Sequence, residues 1–193
     1  MKPKELVLAT ALIVLLGILL GGCQVVEPTS KKEVGQTVIE QFMARAVAAK
    51  KEVGLKLTAE KVGKTVKVKI ALENPNVKPI TSVQSWLSYD PSLLKGVSVS
   101  AEGSAFSLQA PFDNTFDGTK GILAIGRSSP KAVESKSVLV AEATFEVVGE
   151  GVVMVDAYDY QDDLSGHTSV NTLVRGKPFN ILRRPESPLL VIE

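Results

Sequence analysis

The run DAYDYQDD places Asp156, Asp159, Asp162 and Asp163 within eight residues. Four carboxylates this close offer the oxygen ligands that calcium takes, with Asn171 or backbone carbonyls to complete the shell. An acidic, solvated loop is the commoner outcome of such a run, so the expected cofactor is none, with calcium at this cluster as the one candidate. A second acidic stretch, Asp113 to Gly118, imitates the opening of an EF-hand loop. Its twelfth position should be a bidentate glutamate and is Ala124, so the motif fails and a hairpin turn suits the Gly118/Gly121 pair better. His167 is the only histidine and Cys23 the only cysteine, which leaves little material for a Cys/His zinc site or a Ser-His-Asp triad. His167, in LSGHTSV, reads as a loop residue. A paired-carboxylate glycosidase needs a deep cleft, and no insertion is present to build one. No enzyme activity is expected.

The residue type best suited to recognition is the single tryptophan, Trp86, in SVQSWLSYDPSLL. Strand side chains alternate between faces, so Val83, Ser85, Leu87 and Tyr89 share one side. Ser82, Gln84, Trp86 and Ser88 share the other, a polar face with an indole in it. Either Trp86 is covered by a helix or tail from elsewhere in the chain, or it is an interface anchor.

The elements that position these residues follow from periodicity. Val66, Val68, Ile70 and Leu72 alternate strictly with polar or small neighbours, as do Val53, Leu55 and Leu57. Further strands are expected over 81–89, 97–100, 121–127, 138–148, 151–160 and 169–174, with turn signals between them. Short strands with one wet face predict an all-β, antiparallel two-sheet sandwich over residues 53–182, followed by a C-terminal tail over 183–193.

The N-terminal end has a different character. Lys2 and Lys4 precede an uncharged run from Leu6 to Leu20, too short to span a bilayer comfortably. Leu20-Gly21-Gly22-Cys23 resembles the lipobox of prokaryotic lipoproteins. That resemblance implies a signal peptide over 1–22, lipid attachment at Cys23, and an exported chain held at the cell membrane or surface. Residues 23–52 form a tether, with a capping-box pair, Ser30 and Glu33, opening a helix over 31–50. Without residues 1–22 the chain carries 20 basic and 20 acidic residues, and no basic excess argues for a nucleic-acid partner.

The segment SVQSWLSYDPSLLKGVSVS resembles the third and fourth strands of cohesin domains, with their Y-D-P turn. TVKVKIALEN is similar to the preceding strand, GILAIGRSS to a middle strand, and LVAEATFEVVGEG to the late strand with its A-x-x-x-F pattern. The resemblance covers roughly residues 53–182. It implies a nine-stranded jelly-roll sandwich and a non-catalytic adaptor that binds dockerin-like protein modules in polysaccharide degradation or surface assembly. It also implies that Ser82, Gln84, Trp86 and Ser88 lie on the partner-binding face. Cohesins often carry Asn and Asp where this chain has Ser82 and Gln84, so the usual polar contacts are replaced. Two other readings compete. One is a surface-displayed carbohydrate-binding module, with Trp86 stacking on a sugar and Tyr158 and Tyr160 nearby. The other is a structural envelope lipoprotein with no specific ligand.

Overall fold

The computed structural model of the chain describes residues 51–111 and 113–192. Cys23, the apolar run before it and the expected helix over 31–50 lie outside the described residues. Within them the chain is built of strands: β1 (Gly54–Val62), β2 (Thr65–Glu73), β3 (Ile80–Ser85), β4 (Leu87–Ser88), β5 (Leu94–Ser100), β6 (Leu108–Gln109) and β7 (Thr115–Asp117). The second half supplies β8 (Ile122–Ala124), β9 (Gly126–Val133), β10 (Ser137–Val147), β11 (Val153–Ala157), β12 (Thr168–Val174), β13 (Lys177–Asn180) and β14 (Leu190–Ile192). All of their pairings are antiparallel.

One layer has the order β1-β2-β10-β5. Alternation works here as expected, because Val66, Val68, Ile70 and Leu72 are wholly buried while Lys67 and Lys69 face water. Across the core lie two further sheets, β14-β11-β4-β8-β7 and β13-β12-β3-β9-β6. Val83, Leu87, Leu123, Ile125, Val155 and Val170 bring their inner faces into the same apolar cluster as β2 and β10. Burying a branched aliphatic side chain contributes about 1.5–3 kcal/mol, so this shared cluster holds the layers together.

The Y-D-P turn is fixed by small, specific contacts. The Tyr89 ring meets Phe116 and Phe145 edge to face, at 6.4 and 5.1 Å between centroids. The Tyr89 amide donates to the Gly121 carbonyl, and Asp90 accepts from the amide and hydroxyl of Ser92. Gly121 has φ +65°, and a Cβ there would fall 2.0 Å from the Tyr89 carbonyl oxygen, so only glycine fits.

Three expectations change. The single strand over 81–89 is broken at Trp86 into β3 and β4, and the opposing strand is broken at Ile125 into β8 and β9. Ser85 N–H donates to the Ile125 carbonyl across this double break. The outer layer is therefore made of shorter pieces of strand. The C-terminal residues are more than a tail: β14 pairs with β11 from Val153↔Ile192 to Val155↔Leu190, and Ile192 is buried.

Candidate partner-binding face

The break at Trp86 is where the outer layer forks. β12 pairs with β3 on one side of it, and β11 pairs with β4 on the other. The Trp86 carbonyl accepts from the Tyr158 amide at 2.8 Å. The Thr168 hydroxyl lies 2.9 Å from the same carbonyl and 2.8 Å from that of Tyr158. The loop 158–167 thus leaves and rejoins the sheet at one backbone oxygen.

Its side chains fold over the indole. His167 packs on Trp86 with ring centroids 4.3 Å apart, and Tyr158 stacks at 6.2 Å. The indole N–H donates to Asp113, whose carboxyl is pushed above its ordinary value by burial. Trp86 keeps the outer face that alternation assigns it, opposite buried Ser85 and Leu87. It is half-buried at the fork, packed by His167 and Tyr158 of the acidic loop and hydrogen-bonded to Asp113. Ser88 keeps the outward side of the alternation but belongs to the other sheet, where it pairs with Asp156 and Ile122. Of the four face residues, only Ser82 and Gln84 lie on β3 itself.

Those two sit in a shallow groove of about 340 Å³ on the outer side of β12-β3-β9. Register builds its floor. Asn171 and Ser128 flank Ser82, while Ser169 and Gly126 flank Gln84. Directly opposed antiparallel residues share a face, so these side chains point outward together. Asn171 Nδ2 donates to Ser82 Oγ at 3.2 Å, and the Ser169 hydroxyl reaches Gln84 Oε1 at 3.4 Å. Ala110, Leu164 and Pro178 form the walls. Leu108, opposite Ser128, is 52% exposed, and Leu173, opposite Pro178 and two residues on from Asn171, is 51% exposed. A polar floor inside exposed aliphatic side chains has the anatomy of a protein-docking surface.

The acidic run does not converge. Asp156 accepts from the Ser187 hydroxyl at 2.8 Å. Asp159 lies 2.6 Å from His167 Nδ1, and that hydrogen bond holds its carboxyl below the usual range. Asp162 accepts from Lys51 at 2.7 Å, the main reason its carboxyl is also lowered, and Arg184 stands 3.8 Å away. Asp163 caps the amide and hydroxyl of Ser165, which lowers it likewise. Among the described residues no three His, Cys, Asp or Glu side chains gather where one cation would sit, and Asn171 is engaged in the groove. Tyr160 is held by Lys51 and Asp162 and lies beneath Arg184, so it forms no open row of rings with Trp86 and Tyr158.

Comparisons with known proteins match this architecture. The family model described as the cohesin domain matches residues 52–177. A type II cohesin domain from the cellulosome of Acetivibrio cellulolyticus is similar at TM-score 0.52 and 18% identity, over 72% of this chain and 94% of that one. The seventh ScaB type I cohesin of Pseudobacteroides cellulosolvens aligns at 0.46 and 17% identity, over 66% of this chain and 83% of that one. The third cohesin of ScaC, solved with the ScaB dockerin of Acetivibrio cellulolyticus, aligns at 0.46 and 15%, over 61% and 84%. No curated protein matches.

Proposed function

The chain belongs to the cohesin domain family, and from that premise we propose that it is a non-catalytic, surface-displayed adaptor that binds a dockerin-like protein module. The observation that carries this reading is the groove on β12-β3-β9, with Ser82 and Gln84 in its floor and Leu108, Leu164 and Leu173 around it. It lies on the strand that the family resemblance assigns to partner binding. Apolar side chains left in water on one side of a stable sandwich favour association, and the polar floor sets orientation.

Lipid attachment at Cys23 fits the same role, because it would hold the binding face outside the cell at a membrane. Fatty chains contribute about 0.8 kcal/mol per buried CH₂, and stable anchoring takes two of them. The deciding experiment titrates the purified chain with each dockerin module encoded in the same genome, by calorimetry. Saturable one-to-one binding that weakens in Gln84→Ala supports the reading. Failure of every dockerin to bind overturns it.

A further inference from the structure

The loop 158–167 is closed at its neck by its own backbone. The His167 amide donates to the Asp159 carbonyl at 3.0 Å. Gly166 is buried in that neck, where a Cβ would fall 2.5 Å from the same carbonyl oxygen, so the chain turns back with no room for a side chain. The tip, residues 161–165, is different in kind. Asp162, Asp163 and Ser165 are exposed, and Leu164, 43% exposed, borders two hollows. One is the groove, and the other is a space of about 420 Å³ lined by Leu164, Pro178 and Phe179. A side chain that stands beside open space is not fixed by close packing. Its place depends on what holds its backbone.

Among the described residues, two side chains from outside the loop bond to that backbone. Asn180 Nδ2 donates to the Gln161 and Asp163 carbonyls. Between them, the Asp162 carbonyl accepts from Lys51 Nζ at 2.6 Å. The same ammonium donates to Asp162 Oδ1 at 2.7 Å and to the Tyr160 hydroxyl at 3.2 Å. A lysine has three N–H donors, and all three are used on this one loop. The Tyr160 hydroxyl passes the tie onward, donating to Asp162 Oδ1 and to the Leu182 carbonyl. Lys51 is itself delivered from a fixed point. Two residues on, Val53 is fully buried and exchanges hydrogen bonds with Ile181 and Arg183.

As an ion pair the contact adds little to the stability of the whole domain, because the Asp162 side chain is 69% exposed. Its effect is local. We infer that Lys51 is a positioning residue for partner binding: it holds the tip of loop 158–167 so that Leu164 stands as a wall of the groove. It also ties that wall to the chain segment that leads to the tether. The inference rests on the dockerin reading for its partner, and the order of the loop is measurable without one.

The test uses the isotope-labelled full chain in detergent micelles, as parent and as Lys51→Met, Lys51→Arg and Lys56→Met. Lys56→Met removes another exposed ion pair, Lys56 to Glu73 at 2.8 Å, and serves as the control. Backbone order parameters are measured by NMR relaxation. Lys51→Met should lower those of residues 162–164 from about 0.85 to below about 0.6, with β3 and β12 unchanged. Lys51→Arg, which keeps several donors on a cation, should restore the parental values, and Lys56→Met should not alter them. The dockerin that binds the parent should bind Lys51→Met about fivefold more weakly, and Lys51→Arg within about twofold, because a loosened loop must be ordered on binding. An unchanged loop in Lys51→Met overturns the inference. So does an equal loss of order in β3 and β12, which would make Lys51 a general structural support. A loosened loop with unchanged dockerin affinity overturns the link to the partner. Absence of dockerin binding in the parent removes the proposed function alone, and the order parameters still decide what Lys51 holds.

Discussion

Trp86 is the residue whose meaning changes most between sequence and structure. Its carbonyl ties Tyr158 and Thr168 to the fork, and its ring is packed by His167 and Tyr158. Trp86→Ala should therefore lower stability by about 2–3 kcal/mol, somewhat less than for a fully buried aromatic. A thermal melt checks this, and an unchanged melt would return the indole to the role of a free anchor. Asp162 gives a second residue-scale test. Its carboxyl is lowered on folding, first by the hydrogen bond from Lys51. Such a group contributes stability above its unfolded value of about 4, and that contribution is lost as pH falls through the lower folded value. Asp162→Asn should accordingly be less stable than the parent at neutral pH and converge with it as pH falls through the lowered folded value. Melting temperatures measured across that range decide it.

At the scale of elements, much was legible in the sequence and some was not. Strict alternation in residues 66–72 announced β2, since one face meets the core and the other meets water. The strand expected over 138–148 forms as β10, with its alternation interrupted by a bulge between Leu139 and Ala141. The core side of the Trp86 segment was also legible: Val83, Ser85, Leu87 and Tyr89 are all buried. The break itself was not, because β3 and β4 keep the same alternation across it and the pattern carries no mark of which strand each half pairs with. β6, β7 and β14 have two or three residues each, too few for a period to show. The groove was half visible. Ser82 and Gln84 were in the expected face, but Asn171, Ser128 and Leu164 join them through register and loop placement, which no local spacing encodes. β14 carries a prediction of its own. The fragment 53–182, which sequence alone marks out as the domain, lacks Ile192 and Leu190 against β11 and leaves Val153 and Val155 without their neighbouring strand. It should melt well below residues 51–193 in a calorimetric comparison. Gly121→Ala should also destabilise by more than about 1 kcal/mol, since φ is positive and the Tyr89 carbonyl blocks the new methyl.

For the whole molecule, the tether and the domain make separable predictions. Cys23→Ser should shift the protein from the membrane fraction to the soluble one while leaving dockerin affinity unchanged, checked by fractionation and by mass spectrometry of the N-terminal peptide. The fork in the outer layer has one more consequence, which is optical. The chain has a single tryptophan, and it stands where the loop 158–167 leaves and rejoins the sheet, in ring contact with the only histidine. Its emission is therefore a label-free gauge of that loop. Because the same loop carries Leu164 over the groove, a partner that shifts Leu164 should also alter the lifetime of a chromophore lying outside the contact.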